Sequence, residues 1–315
     1  MSPETSPGTA PEPQASGTPD VLGIYIPFWG ELEYLRTAVE SVRTQTSPHW
    51  QLTVVNDAHP DTAVDDYFAT MTGDPRIRYI RNRENCGITE NFRRCVQMAA
   101  EPRLVVMGCD DFMLPDYVRT VMEAHRTAPQ VGIIQPGVQV VDEDGKRSVT
   151  LADSVKQKML RPRTPPIKTL HGDRLASGLM HGNWLYWPSL AFRRDAIQTH
   201  DFRNDFSVIQ DLALILDLIL DGEDLLVLPE EVFSYRRHRS SASSLELVDG
   251  SRFEGERRFF RLAAELTGDK GWTRTRRAAR LHLTSRLHAL VLIPGALRGR
   301  RFRAVRVLLR HAFGS

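Results

Sequence analysis

The chain has 315 residues, 41% hydrophobic and 25% charged, enough for one large α/β domain with an appendage or for two small domains. Its formal net charge of +2 is uneven: residues 1–270 hold all 39 acids against 30 Lys+Arg, a formal −9, while residues 271–315 hold eleven arginines and no acid. An acidic body is a poor nucleic-acid binder, the three cysteines Cys86, Cys95 and Cys109 argue against a disulfide framework and fit a reducing compartment, and no apolar run of eighteen residues offers a membrane span.

Residues 1–19 carry five prolines and no apolar stretch, so they read as a disordered leader without a signal peptide. Val21–Ile26 is a short strand ending at Pro27, and Leu35, Ala38, Val39 and Val42 share one helix face. Leu52–Val55 is a second strand stopped by Asn56-Asp57, followed by a helix around Val64–Met71 and a third strand over Ile77–Ile80. Phe92, Cys95, Val96 and Ala99 repeat the helical spacing, with Thr89 as an N-cap. Leu104–Met107 is the fourth strand, running into Asp110-Asp111, and Tyr117, Val118, Val121 and Met122 mark the next helix.

Repeated β-α units predict a mostly parallel sheet with right-handed crossovers, the polar strand ends lying along one edge. Beyond residue 130 the pattern loosens. Val131–Ile134 and Val138–Val141 read as separate strands, and residues 146–170 as a long loop of the kind that serves as a lid. Ile209–Leu220 is a buried helix, and Leu225–Leu228 and Val232–Tyr235 are short strands. In the tail, Leu283, Leu287, Leu290 and Val291 share one face, Pro294-Gly295 breaks the chain, and Phe302, Val305 and Leu309 share a second face. The expected division is a leader (1–19), a nucleotide-binding half (20–130), a mixed acceptor half (131–245) and a basic amphipathic helical tail (246–315).

Asp110-Asp111 admits two readings. Aspartates after a strand cap turns and helices. Adjacent carboxylates at a strand end can also hold a hard divalent cation against a phosphate. A dehydrogenase is disfavoured because the first turn, Ile26-Pro27-Phe28-Trp29-Gly30, lacks the Gly-x-Gly-x-x-Gly fingerprint; the Walker-type phosphate loop is also missing.

Residues 22–118 resemble the nucleotide-sugar half of an inverting family 2 glycosyltransferase of the GT-A fold. The matching pieces, in order, are Ile26-Pro27-Phe28-Trp29, Leu35–Ser41 with Gln45-Thr46, and Val54-Val55-Asn56-Asp57. Asn85-Cys86-Gly87-Ile88 with Asn91 follows, then Asp110-Asp111 with Leu114-Pro115. A looser likeness continues to about residue 240 through Gly182-Asn183-Trp184, Phe192-Arg193-Arg194, Gln210-Asp211 and Tyr235-Arg236-Arg237-His238. The resemblance implies a GT-A-type sheet, mostly parallel and flanked by helices, with a C-terminal helical extension.

It also implies roles. Asp57 would accept a hydrogen bond from the N3–H of uracil or thymine, against a plain turn-capping role. Pro27, Phe28, Asn85, Gly87 and Asn91 would line the nucleotide site, and Asn183 and Trp184 the sugar or acceptor pocket, although Trp184 could equally be core. Asp110, Asp111 and His238 would hold Mg²⁺ or Mn²⁺, with Gly108 standing where the family places a first aspartate. Arg236 or Arg237 could pair with phosphate oxygens. Asp211 would be the general base, against an N-cap role, with Gln210 replacing a common glutamate.

The implied activity is transfer of a sugar from a UDP- or dTDP-sugar to a hydroxyl of a glycan, glycolipid or small-molecule acceptor, in cell-surface polysaccharide or other glycoconjugate synthesis. The alternatives are a catalytically inactive sugar-nucleotide-binding or scaffold protein and, more weakly, a nucleotidyltransferase. The expected location is cytoplasmic, with peripheral contact between the arginine-rich tail and an anionic membrane.

Overall fold

The computed structural model describes residues 20–71, 73–148, 161, 167–206, 209–237 and 251–314. The expected leader, His238 and most of the expected lid (149–160 and 162–166) lie outside the described residues.

The first half alternates as its apolar spacing requires. β1 (Leu22–Phe28), β2 (Trp50–Asn56), β3 (Ile77–Arg81) and β4 (Arg103–Val106) are separated by α1 (Leu32–Arg43), α2 (Ala63–Ala69) and α3 (Ile88–Met98). All four strands run parallel in the order β3-β2-β1-β4. Leu35, Ala38, Val39 and Val42 of α1 are buried, as their i, i+3, i+4, i+7 spacing predicts. The chain leaves β1 toward β2 and β3, then returns to its other side with β4. This reversal opens a crevice beyond the ends of β1 and β4, where an open α/β sheet receives ligands.

The second half is mixed. β5 (Phe112–Met113), α4 (Tyr117–Thr127), β6 (Ile133–Val141), β7 (Lys168–Leu170), α5 (Gly172–His181), β8 (Ala191–Arg193), α6 (Arg194–Gln198), α7 (Gln210–Leu220) and β9 (Leu225–Arg236) complete the sheet. β8 pairs antiparallel to both β4 and β6, and β9 runs parallel to β6 but antiparallel to β5 and β7.

Four expectations are corrected. The paired short strands on either side of Pro136 and Pro229 are two long strands, β6 and β9, each crossing its proline through a shared irregularity near Gln135–Val138. Gly137 permits it: a Cβ there would meet the Glu230 and Pro229 carbonyl oxygens at 2.6 and 2.7 Å. The end of the expected lid, Lys168–Leu170, is a strand. Thr89 is not an N-cap; Gly87 takes that position at φ 84°, a left-handed conformation suited to glycine. Pro294 does not break the tail, because α10 runs through it and stops only at Arg298.

The tail comprises α8 (Ser251–Asp269), α9 (Thr273–Leu281), α10 (Leu283–Arg298) and α11 (Phe302–Phe313). Phe259, Phe260, Ala263 and Ala264 of α8 and Ala278 and Ala279 of α9 join the main core with α5 and α7. Only α10, α11 and the start of α8 form a separate small core, around Phe253, Ala289 and Leu308.

Candidate active site at the sheet edge

The β2 tip carries Asp57, 2% exposed. Its Oδ1 accepts from the Cys86 N–H (3.0 Å), the Cys86 thiol (2.9 Å) and the Asn82 amide (2.8 Å), and its Oδ2 accepts from the Gly87 N–H (2.9 Å). Burial alone would raise this carboxyl's pKa. The Cys86, Asn82 and Gly87 donors outweigh burial and hold it below the usual carboxylate range. Burial, then the thiol's own bond to Asp57 and the Asp57 charge, push the Cys86 thiol up to about 11. Asp57 therefore fastens the 82–87 loop to β2, and Oδ2, with one protein donor, keeps capacity for a base edge.

The surrounding residues divide. Asn85 is exposed, and its Oδ1 accepts from the Gly87 N–H at 3.0 Å. Asn91 is buried beneath the loop, donating to the Val55 carbonyl (3.0 Å) and accepting from Asn82 (3.3 Å). Pro27 and Phe28 are buried at the end of β1. The Phe28 ring packs on His59 with centroids 5.3 Å apart, so its side chain is core rather than an open ligand surface. The aromatic open to solvent is the next residue, Trp29, 52% exposed and edge-on to His59 at 5.1 Å. Nothing in the local sequence distinguishes Trp29 as a contact residue. Its place after Ile26-Pro27-Phe28 was visible, but its exposure was not.

The β4 tip carries Asp110 and Asp111. Asp111 is 2% exposed and its Oδ1 accepts the Arg236 N–H at 2.8 Å. Burial and then the Asp110 charge push its carboxyl well above the usual range, against the opposing pull of the Arg236 N–H and guanidinium. Arg236 is buried. Its guanidinium donates to the Asp110, Asp142 and Glu143 carbonyls and lies over the Tyr34 ring at 4.9 Å. It positions this loop, so the phosphate-pairing expectation falls to Arg237. From the other side, α1 and the turn after it clamp the segment. Gln45 donates to the Leu114 carbonyl (2.7 Å) and accepts from the Val118 N–H (2.9 Å), and Ser41 accepts from the Met113 N–H (3.1 Å).

Gly108 has a steric reason. A Cβ there would sit 2.6 Å from Asp111 Oδ2 and 2.8 Å from Asp110 Oδ1, so both carboxylates occupy the space an aspartate side chain would need. The two oxygen-donor side chains suit a hard divalent cation. Among the described residues no third His, Cys, Asp or Glu completes a metal-holding group.

Asp211 lies in the first turn of α7, half-buried, and its Oδ1 faces the Leu212 N–H at 2.7 Å. Gln210 accepts from Thr89 Oγ1 at 2.7 Å, tying α7 to the start of α3. Tyr235, on β9, opens the Tyr235-Arg236-Arg237-His238 element, in which the sequence assigns it no role of its own. Burial raises its phenol, and the charges of Asp111, Asp110 and Asp211 raise it further while Arg237 lowers it. All three carboxylates thus act on one phenol, which stacks obliquely on Tyr186 at 5.2 Å. Asn183 caps the Leu185 N–H at 3.1 Å. Trp184 is 2% exposed and packed in the main core, so the aromatic face expected for a sugar is covered.

MT1568 of Mycobacterium tuberculosis is 25% identical over 235 residues, covering 72% of this chain and 70% of that one. The glycosyltransferase EpsH of Bacillus subtilis is 23% identical over 226 residues, 70% of this chain and 62% of EpsH. WcaA of Escherichia coli, a colanic acid biosynthesis glycosyl transferase, is 26% identical over 106 residues, 34% of this chain and 38% of WcaA. The chain therefore spans less than two thirds of EpsH and of WcaA. Staphylococcus aureus TarS 1–349 in complex with UDP-GlcNAc superposes with a TM-score of 0.62 at 11% identity, over 94% of this chain and 92% of that one. The mannosyltransferase PcManGT of Pyrobaculum calidifontis, in complex with GDP-Man and Mn²⁺, gives 0.56 at 13%, over 92% and 85%. At these identities the likeness is one of fold. The family model for glycosyl transferase family 2 matches residues 23–194, more than half of the chain, and the protein belongs to that family.

Proposed function

We propose that this glycosyltransferase moves a sugar from a UDP- or dTDP-sugar to an acceptor hydroxyl with inversion, in a metal-dependent reaction serving cell-surface polysaccharide, glycolipid or other glycoconjugate synthesis. The observation that carries this reading is the pairing of the Asp110 and Asp111 carboxylates against Gly108 beyond β4, on a sheet whose neighbouring β2 tip holds Asp57. The nucleotide-sugar complexes of TarS and PcManGT, and the Mn²⁺ of the latter, support it.

Asp57 Oδ2 and the Gly87 turn receive the base, and Trp29 covers it from the solvent side. Asp110 and Asp111 would hold the Mg²⁺ or Mn²⁺, which when bound neutralises charge on the departing diphosphate. Arg237, over the Tyr235 ring at 5.9 Å, adds positive charge to this edge. Asp211 takes the proton of the acceptor hydroxyl as its oxygen attacks the anomeric carbon. The bond from that carbon to the diphosphate oxygen breaks, and its electron pair leaves with the nucleoside diphosphate. Asp211→Asn is expected to lower turnover by about 10²–10⁴-fold while nucleotide binding survives. Substantial transfer by that variant removes Asp211 as the base. A catalytically inactive binding protein would release no nucleoside diphosphate from any nucleotide sugar tested with Mn²⁺.

The tail supports peripheral contact with an anionic membrane. The stripe Leu283, Leu287 and Val291 faces solvent on α10, Val291 at 75% exposure, and Phe302 and Phe313 face solvent on α11 beside the arginines. Among the described residues no helix is long and apolar enough to cross a membrane. Because α8 and α9 belong to the main core, the test is substitution rather than truncation. Leu287→Glu with Val291→Glu should abolish binding to phosphatidylglycerol vesicles at unchanged thermal stability. Unchanged binding overturns the contact.

A further inference from the structure

α8, α9 and the start of α10 enclose a cleft of about 830 Å³ that contains no residue of the sheet-edge site. Its walls are cationic. Arg257 and Arg261 come from one face of α8, Arg276 and Arg280 from one face of α9, and Arg286 from α10; the lining carboxylates are Glu265 and Asp269. The floor is small and flat. Ala264, Gly268 and Ala279 leave the space open, and the Phe260 and His282 rings stack at 4.7 Å with 9° between their planes. Gly268 lets Arg276 lie close to α8, since a Cβ there would meet Arg276 Nε at 3.2 Å.

Helix capping accounts for two of the five arginines. Arg257 donates to the Arg310 carbonyl (3.3 Å), and Arg286 to those of Ala312 (3.2 Å) and Gly314 (3.1 Å), at the end of α11. It does not account for Arg261, Arg276 and Arg280, whose guanidiniums have no ion-pair partner among the described residues; the tail ion pair among those residues is Arg252–Glu256. The cluster is also mutually repulsive. After burial, the charges of Arg310, Arg261 and Arg286 are what depress the Arg257 guanidinium. Like charges gathered around a concave, aromatic-floored space cost stability until a counter-ion enters, and guanidinium forks match phosphate oxygens two bonds at a time.

We propose that this cleft is an anion site for a phosphate- or diphosphate-bearing ligand, with the Phe260–His282 stack beneath the group that the phosphate carries. The proposal goes beyond the transfer reaction, and its test does not use that reaction. Sodium pyrophosphate is titrated calorimetrically into the full-length protein in EDTA. Saturable binding is expected, retained in Asp110→Ala and weakened about tenfold or more in the Arg261→Gln, Arg280→Gln double variant. Both arginines are exposed, so the double variant should melt with the wild type.

A second arm separates a soluble ligand from a lipid headgroup, using phosphatidylglycerol and phosphatidylcholine vesicles. Phosphatidylglycerol binding that the double variant loses and pyrophosphate competes away assigns the site to a headgroup. Vesicle binding unaffected by both, with pyrophosphate still bound, assigns it to a soluble phosphate compound. The proposal is overturned if pyrophosphate binds no more tightly to the wild type than to the double variant. It is equally overturned if binding disappears in Asp110→Ala.

Discussion

The tips of β2 and β4 each present a buried aspartate to the same sheet edge, in opposite electrostatic states. Asp57 is met by a thiol, an amide and two backbone N–H groups, and its charge is stabilised by the protein alone. Asp111 is met by the Arg236 N–H and by a second carboxylate, and its charge is disfavoured. The β2 tip is a finished piece of structure that can also recognise a ligand. The β4 tip holds negative charge that a cation would relieve. Two carboxylates of one residue type and similar burial thus serve different ends because of the donors around them.

Breaking the β4 tip should act on turnover. Asp110→Ala is expected to lower kcat by about 10²–10³-fold, measured as Mn²⁺-dependent release of nucleoside diphosphate, with metal-free thermal stability close to wild type. A variant that keeps a tenth of wild-type turnover would remove Asp110 as a metal ligand.

Breaking the β2 tip should act on stability. Asp57→Ala strands the donors of Cys86, Gly87 and Asn82 and should cost about 3 kcal/mol in urea unfolding at neutral pH. The pH dependence has a definite sign. The folded carboxyl sits below its ordinary value of 3.8, so the unfolded chain takes up the proton first as pH falls. The Asp57 contribution is complete above the ordinary carboxylate range and is lost as pH falls through the folded value. The stability gap between wild type and Asp57→Asn should therefore narrow below about pH 4. A gap constant down to pH 3 would show that the charge is not what the loop uses.

The smallest effect sharpens the contrast. Gly108→Ala places a methyl 2.6–2.8 Å from the two carboxylate oxygens and must displace them. It should weaken Mn²⁺ binding about tenfold by calorimetry, with little change in melting temperature. Equal affinity in both proteins would mean that the glycine does not set the carboxylate geometry.

The sequence by itself determined the parallel half. The spacing of Leu35, Ala38, Val39 and Val42 and the strands stopped by Asn56-Asp57 and Gly108–Asp111 are local patterns. Local patterns of period 3.6 and period 2 survive without knowledge of distant contacts. The same locality revealed the ordered motif pieces and the acidic body with its basic tail. It could not show that β6 and β9 run through their prolines, since the shared irregularity depends on the 229–230 backbone approaching Gly137. Nor could it show that Phe28 and Trp184 are core while Trp29 is open, or that Arg236 reaches back about 125 positions to hold Asp110 and Asp111. In the tail it found the apolar stripes, but only packing decided that Leu283, Leu287 and Val291 face outward and that five arginines surround one cleft. Burial, donor supply and the sign of a neighbouring charge belong to the assembled surface, and they divide the work between Asp57 and Asp111.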